Sequence, residues 1–216
     1  LVWSTTVESG SGLYNLDLDS KNDIVAVGDR GTNFAIGACN LTDGSAVVLK
    51  LSGATGNVTW CTGMTEYSGA MVYDVAFDEQ DNFYVGGQAD SLTQGSTTQT
   101  YGNGDLILAK FSSNGTALWK KIFGSQNLDW TSQLTVGYQN KLYAAGVYSG
   151  QFTFGRTPMT NTSNLSTWLA RFDANGNCEW QQGLVGNRPI YPAGVYTTFT
   201  SVLASYGGFF RGNFSV

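Results

Sequence analysis

The sequence predicts an all-β protein built from repeated four-stranded antiparallel units. Two markers recur along the chain at intervals of about 60 residues. Each unit holds four short runs of β-branched and aromatic residues, joined by Gly, Asn and Asp. Sustained helical periodicity is missing, and Ala, Leu, Glu and Lys are too sparse to support a long helix. Small antiparallel sheets repeated in this way are typical of a β-propeller, and the 216 residues hold about 3.5–4 blades.

The first marker is a tryptophan, which in its last three copies follows a glycine by four residues. The four tryptophans Trp3, Trp60, Trp119 and Trp180 lie 57, 59 and 61 residues apart. Before the last three, an apolar run encloses one basic residue, which is Lys50, Lys110 or Arg171. We expect each of these Trp side chains to pack on the outermost strand of a blade. The alternative is a β-sandwich with four unrelated tryptophans.

The second marker is a glycine that closes the second run of each unit. Gly28, Gly87 and Gly146 are 59 residues apart, and Gly212 follows 66 residues later. In the second unit the four predicted strands are 71–77, 82–87, 105–112 and 117–124. Asn114-Gly115 joins the last two, because Asn and Gly tolerate the positive φ of tight hairpins. The longest connections join the second and third runs, at 29–44, 88–104 and 150–164.

At this level of detail the sequence resembles a known repeat. The segment 146–155 reads Gly-Val-Tyr-Ser-Gly-Gln-Phe-Thr-Phe-Gly, and 167–177 reads Thr-Trp-Leu-Ala-Arg-Phe-Asp-Ala-Asn-Gly-Asn, ahead of Trp180. This pattern is similar to the SBBP-type β-propeller repeat, over essentially the whole chain. The stretch 105–146 matches well, and the first unit matches less well. The resemblance implies an extracellular or cell-surface propeller, and its motif residues are structural, so no catalytic residue carries over.

The repeat divides the single domain, or propeller fragment, into units at roughly 4–60, 61–119, 120–180 and 181–216. The chain opens on a fourth-strand run, 2–8, and closes on a first run, 196–204, and a second run, 209–216. The third run of the last unit is missing. The chain is then either a fragment of a propeller with six or more blades, or a four-bladed ring that lacks one strand. Both alternatives expose a blade edge to pairing by another chain.

Composition excludes several functions. The chain has no histidine, so it cannot form a Ser-His-Asp triad, a Cys-His dyad or a His-ligated zinc site. A net charge of −5 argues against a nucleic-acid partner. No apolar run is long enough for a membrane span, so membrane insertion is not expected. No cofactor is expected either.

N-glycosylation sequons occur more often than the roughly three that chance predicts for this composition. All but the last lie in predicted turns or connections, which can accommodate a glycan. The hairpin tip at Asn114 and the long loop at Asn161 or Asn164 are favoured. The alternative is that Asn and Thr are simply common. The candidates are Asn40, Asn57, Asn114, Asn161, Asn164 and Asn213.

The three cysteines leave at least one thiol unpaired within the chain. Cys39 and Cys61 lie in the same unit and could form a disulfide that joins a long loop to the outer strand. Cys178 is either a buried thiol or a partner for a cysteine outside this sequence. A catalytic cysteine would lack a histidine base.

Weaker signals for chemistry have structural explanations. The acidic turns 78–82 and 173–177 superficially resemble calcium loops, but neither completes the EF-hand pattern. Paired carboxylates for glycoside hydrolysis are not singled out by context. Tyr101, Trp130 and Tyr191 could stack on sugars, although core packing explains most aromatic residues.

The sequence therefore favours a secreted or cell-surface, non-enzymatic propeller module. Its expected partners are copies of itself or other extracellular proteins, with N-linked glycans, in an assembly such as a filament or surface appendage. A carbohydrate-binding propeller is the first alternative, and a glycoside hydrolase or lyase is the second.

Overall fold

The computed structural model describes residues 3–6, 11–31, 34–161, 165–186, 191–197, 204–209 and 214–215, and these residues form an all-β protein. Within these ranges the only helical segment is a single 3-10 turn, Tyr138–Asn140. The strands fall into four units that follow the sequence repeat.

Each unit begins with a long strand and ends, where complete, with the strand that carries the marker tryptophan. The first unit contains β1 (Gly12–Leu18), β2 (Ile24–Asp29), β3 (Phe34–Ile36), β4 (Cys39–Leu41), β5 (Ala46–Leu51) and β6 (Val58–Gly63). The second contains β7 (Tyr67–Ser68), β8 (Met71–Phe77), β9 (Phe83–Ala89), β10 (Ser91–Gln94), β11 (Thr97–Gln99), β12 (Asp105–Phe111) and β13 (Ala117–Phe123).

The last two units differ in size. The third unit contains β14 (Trp130–Gly137), β15 (Lys141–Tyr148), β16 (Gln151–Phe152), β17 (Met159–Thr160), β18 (Ser166–Phe172) and β19 (Cys178–Gly186). The fourth contains β20 (Tyr191–Thr197), β21 (Ala204–Phe209) and β22 (Phe214–Ser215).

The main sheets are antiparallel and follow chain order. The first two units form the four-stranded sheets β1-β2-β5-β6 and β8-β9-β12-β13. The third forms β14-β15-β18-β19, to which β22 adds a fifth strand along β19. In the fourth unit β20 and β21 form a two-stranded sheet.

The long connections contain small hairpins that the sequence did not predict. The strand pairs β3-β4, β10-β11 and β16-β17 lie between the second and third main strands of their units. Each folds back over its own sheet, because Phe34, Leu92 and Phe152 are buried in the cores of their units. The connections that composition indicated as polar loops are therefore anchored by buried apolar side chains, which in the first and third units also include Ile36 and Phe154.

A β-bulge in every first strand explains the repeated glycine. The bulges place Gly28 opposite Leu13, Gly87 opposite Val72 and Gly146 opposite Thr131. A Cβ atom on any of these glycines would lie 1.8–1.9 Å from a carbonyl oxygen of the first strand. Only glycine lets the two backbones approach so closely.

The same register corrects the predicted fourth unit. Gly208, rather than Gly212, lies opposite the bulge at Pro192. The first and second strands are accordingly 191–197 and 204–209, not 196–204 and 209–216. The alternating Thr residues from position 197 onward resemble a strand, and for this reason the sequence predicts both strands too close to the C-terminus. Gly212 itself lies outside the described residues.

The repeated tryptophan packs on the next unit. Trp3 covers Gly56, Trp60 covers Gly115 and Trp119 covers Gly176, all at hairpin turns with positive φ. The indole nitrogen of Trp119 also donates to the Ala174 carbonyl oxygen at 3.0 Å. Trp3 makes this contact although residues 3–6 form no strand, and the rest of the predicted run 2–8 lies outside the described residues.

The basic residue inside each third strand has a buried carboxylate partner in the first two units. Lys50 lies 2.6 Å from Asp19, and Lys110 lies 2.9 Å from Asp78. Both carboxylates also accept backbone hydrogen bonds within the turn that joins the first and second strands. The third unit has Gly137 at the position of Asp19 and Asp78, and its Arg171 pairs instead with Glu179 on β19, at 2.8 Å.

The core lies between successive units. Val25 and Val27 of the first unit share one buried cluster with Val75, Val85 and Ile107 of the second. The second and third units share another cluster, and Val195 of β20 packs on Tyr143 and Ala145 of the third. We call the side of a unit that faces the preceding unit its leading face, and the opposite side its trailing face.

Candidate functional site

The first strands of all four units meet at one cavity. It has a volume of about 370 Å³, and β1, β8, β14 and β20 all contribute to its wall. Its polar lining comes from equivalent positions just after the bulges, namely Asn15, Asp74 and Gln133. Asp17 adds a second carboxylate.

Asp74 joins three units at this cavity. Its carboxylate accepts hydrogen bonds from the Asn15 side-chain amide at 2.6 Å, the Leu134 backbone N–H at 2.6 Å and the Val75 backbone N–H at 2.9 Å. Both carboxylate oxygens are used, and the side chain is almost fully buried. This arrangement fits a residue that holds the first strands together.

Burial raises the pKa of Asp74 to about 6, and the charge of Asp17 adds to this effect. The hydrogen bonds from Leu134 and Val75 act in the opposite direction without cancelling it. Asp129, at the start of the third unit, behaves similarly, because burial raises its pKa to about 6. It accepts hydrogen bonds from Ser125 and from the Ser149 backbone N–H.

The raised pKa values of Asp74 and Asp129 predict that the free energy of unfolding depends on pH in an unusual direction. Both pKa values are raised above the 3.8 of the ordinary group, so the folded chain binds protons that the unfolded chain releases. The free energy of unfolding should therefore rise as the pH falls from 7.5 to 5.5, by about 1 kcal/mol for each carboxyl. Urea titrations at several pH values measure it. Since the chain has no histidine, no other side chain with an ordinary pKa titrates there.

Asp74→Asn is the matched variant for this test. It should remove the share of the pH effect that belongs to Asp74, and Asp129→Asn should remove the share of Asp129. Burial also raises the pKa of Asp105, which acts in the same direction. A free energy of unfolding that is flat or falls over the same interval in the wild type would contradict the assignment.

A second candidate surface lies on β1. Leu13, Leu16 and Leu18 are 37%, 56% and 48% exposed, and we call them the leucine face. Their counterparts in later units are less exposed: Val72 is 0% exposed, Val75 4%, Leu134 7% and Val195 4%, while Phe77 and Pro192 are half-buried. Those residues lie on leading faces that a preceding unit covers. The leucine face is a leading face with no unit in front of it among the described residues.

A disulfide reinforces the first unit beside this surface. Cys39 on β4 and Cys61 on β6 are joined, with their Cα atoms 5.9 Å apart. The bond ties the small hairpin to the outer strand, and the hairpin covers Ala26, Leu49 and the rest of the outer leading face. Such a bond is typical of an oxidising compartment.

Removing this bond should weaken the fold substantially. Cys39→Ala/Cys61→Ala is expected to lower the free energy of unfolding by about 3 kcal/mol, because the bond closes a loop of 22 residues in the unfolded chain. Chemical denaturation of the double variant measures the loss. Cys178→Ala is the control, and an equal loss in that variant would contradict the assignment.

Cys178 is a half-buried free thiol. Its sulfur lies 3.2 Å from the Trp180 carbonyl oxygen, to which the thiol donates, and burial raises its pKa to about 11. A thiol held protonated in this way is a poor nucleophile.

The predicted glycosylation sites differ in exposure. Asn40, Asn57 and Asn114 are exposed. Asn161 is 5% exposed, and its amide donates to the Tyr148 carbonyl oxygen, so a glycan there would require local rearrangement. Asn164 and Asn213 lie outside the described residues.

The remaining predicted candidates do not gather into one site. Within the described ranges, no group of three or more Cys, Asp or Glu side chains could hold a metal ion. Asp78 and Asp173 instead accept hydrogen bonds from backbone N–H groups of their own turns. Tyr101 is exposed and Trp130 is half-buried, while the Tyr191 side chain lies outside the description.

Sequence reasoning missed both the cavity and the leucine face. The 59-residue spacing does relate Asn15, Asp74 and Gln133, and could have singled them out as one set. No helix in the described part of the chain is long and apolar enough to cross a membrane. Comparisons with models of known protein families and with curated proteins give no match.

Proposed function

We propose that this protein is a secreted or cell-surface β-propeller module of the SBBP-repeat type. It has no enzymatic activity and acts through protein–protein contacts in a larger extracellular assembly, such as a filament or surface appendage. The leucine face carries the proposal, because it is an apolar surface whose counterparts Val72, Val75, Leu134 and Val195 are buried contacts between units. Apolar surface of this kind marks an interaction site.

Two features support the propeller architecture. The first strands β1, β8, β14 and β20 line one cavity, as the innermost strands of a propeller do. Successive units also pack face to face, with a Trp of one unit on a turn glycine of the next.

The contacts of Asp74 favour a structural role over a catalytic one. A general acid or nucleophile needs an oxygen that can reach a substrate. Both oxygens of Asp74 instead accept hydrogen bonds from neighbouring first strands. The raised pKa follows from burial at this junction.

The extracellular location is supported by the disulfide and by three exposed sequons. Glycans on Asn40, Asn57 or Asn114 would require no change in the backbone. The low share of charged residues, 12%, suits a surface that glycans or neighbouring proteins cover.

The experiment measures self-association, polysaccharide turnover and glycan binding on the same secreted chain. We expect self-association or association with extracellular proteins, no release of reducing sugar from a polysaccharide panel, and no binding to a glycan array. Glycopeptide mass spectra should show glycans on Asn57 or Asn114 and none on Asn161. Polysaccharide turnover or glycan binding that Asp74→Asn abolishes would replace this function with the enzymatic or carbohydrate-binding alternative.

A further inference from the structure

A second cavity lies inside the third unit, between the small hairpin β16-β17 and the outer strand β19. It has a volume of about 310 Å³. Its floor consists of two buried residues, Tyr148 and Met159, together with Gly183 of β19. Its rim includes the exposed residues Pro158 and Gln182. All the residues that line it belong to the third unit, so the cavity does not depend on a neighbouring unit.

Gln181 holds the hairpin in place over β19. Its side-chain nitrogen donates to the Thr157 carbonyl oxygen at 2.8 Å, and its side-chain oxygen accepts from the Phe154 backbone N–H at 3.1 Å. Phe154 in turn packs on the buried ring of Trp168, with the ring centroids 5.0 Å apart. The cavity therefore has fixed walls and is not a gap beneath a loose loop.

The Tyr148 hydroxyl at the floor is a buried donor without a partner. Tyr148 is 0% exposed, and its hydroxyl forms no hydrogen bond within the described part of the chain. The other three buried tyrosines of the described ranges, Tyr67, Tyr84 and Tyr143, each use the hydroxyl in a hydrogen bond. Burial raises the pKa of Tyr148 to about 12, so the hydroxyl stays protonated and can donate. An unpaired buried hydroxyl costs free energy unless something accepts its hydrogen bond.

The corresponding place in the second unit is closed. The registers of the two sheets align Tyr148 with Ala89, and Gly183 with Ile122. Ala89 and Ile122 belong to one buried apolar cluster. In the third unit, a Cβ atom on Gly183 would lie 2.6 Å from the Tyr148 hydroxyl oxygen and 3.6 Å from the Met159 Cβ atom. The third unit thus has a tyrosine hydroxyl where the second has a purely apolar contact.

The lining limits the chemistry of a ligand. No charged side chain lines the cavity among the described residues, so an ion would lose its hydration there without a counter-charge. The ligand must accept a hydrogen bond from Tyr148. At the rim, the Gln182 side-chain nitrogen donates to the Gly183 carbonyl oxygen, and its side-chain oxygen is the acceptor that it offers to a ligand N–H. Met159 adds apolar contact, and its unbranched side chain can shift to let a ligand reach the hydroxyl. A neutral amide meets all these conditions.

We propose that this cavity binds a peptide amide of a partner protein, with the Tyr148 hydroxyl donating to the amide carbonyl oxygen. This inference rests on the proposed function, which makes the partner a protein. The acetamido group of a sugar offers the same hydrogen-bonding atoms. A peptide is favoured, because the described lining contains no exposed aromatic ring on which a sugar could stack.

NMR titration of the intact, ¹⁵N-labelled chain with N-acetyl-alanine methylamide tests the proposal. Saturable shifts are expected for the backbone amide signals of residues 157–160 and 181–185. The dissociation constant should be about 1 mM, which suits a ligand of about ten heavy atoms. Tyr148→Phe should bind about tenfold more weakly, because one hydrogen bond is lost. Acetate should not bind, because it carries a charge.

Tyr67→Phe is the matched control, since it also removes a hydroxyl from a fully buried ring. The Tyr67 hydroxyl donates to the Lys121 carbonyl oxygen at 3.1 Å, so this variant should unfold at a lower urea concentration than the wild type. Its affinity for the capped alanine should be unchanged. Tyr148→Phe should not unfold at a lower urea concentration, because it loses no internal hydrogen bond. An equal loss in the two variants would show that Tyr148 has an internal partner, and would overturn the inference.

Two results of the titration would also overturn it. If the wild type shows no saturable shifts, or if Tyr148→Phe binds as tightly as the wild type, the cavity is not an amide site. The proposed function would then still stand, since self-association and glycan binding are measured separately. N-acetylglucosamine is the last probe. Tighter binding of this sugar than of the capped alanine, at the same residues, would replace the peptide with a sugar and favour the carbohydrate-binding alternative.

Discussion

Lys110→Met is expected to lower the free energy of unfolding by about 4 kcal/mol. The Lys110 ammonium lies 2.9 Å from Asp78, and both side chains are almost fully buried. It also donates to the Tyr84 hydroxyl at 2.8 Å and lies 4.6 Å from the centre of that ring. Methionine fills much of the same volume but leaves the Asp78 carboxylate buried without a cation, which is the costly way to break such a pair.

Chemical denaturation measures this loss, and two further variants test whether burial of the ion pair causes it. Lys120→Met removes a pair whose carboxylate, Glu66, is 43% exposed, so it should cost less than about 1 kcal/mol. Lys110→Met/Asp78→Asn should recover part of the stability, because the uncompensated charge is gone. Equal losses for Lys110→Met and Lys120→Met would show that burial of the pair does not matter.

Gly87→Ala should destabilise the protein by about 4 kcal/mol, more than overpacking usually costs. The added Cβ atom would lie 1.9 Å from the Met71 carbonyl oxygen and 2.9 Å from the Val72 Cα atom. Both are backbone atoms of the neighbouring strand, so no side-chain rotation can relieve the overlap. The bulge in β8 would have to open, and the contact of β8 with the first unit would open with it.

Thermal and urea unfolding of Gly87→Ala test this prediction against Gly95→Ala. Gly95 has φ +60, but a Cβ atom there would have no neighbour within 4 Å. That variant should lose only about 1 kcal/mol, from backbone conformation. If both alanines cost the same, close backbone approach is not the reason for the repeated glycine.

The strands were predictable where local chemistry and the repeat agree. In the second unit the predicted 71–77 and 117–124 correspond to Met71–Phe77 and Ala117–Phe123. Turn residues at positive φ, such as Asp81 and Gly115, bound these strands and limit errors to a residue or two. The fourth unit has a weaker turn signal, and its predicted strands lie about five residues beyond the observed ones.

The candidate surfaces could not be predicted in the same way. Leu16 and Val75 occupy the same place in the repeat and have similar side chains, yet only Leu16 is exposed. The difference depends on which unit has a neighbour, and that is a property of the assembled series. In the sequence, Asp74 likewise resembles any polar strand residue, because only folding brings three first strands together around it.

The position of the disulfide has a consequence for the fidelity of its pairing. Cys39 and Cys61 both belong to the first unit, 22 residues apart. Cys178 lies on β19 of the third unit, where it is half-buried and its pKa is raised by burial. Thiol–disulfide exchange requires a thiolate as the attacking group. The protonated Cys178 of the folded chain is therefore a poor competitor for the bond of the first unit.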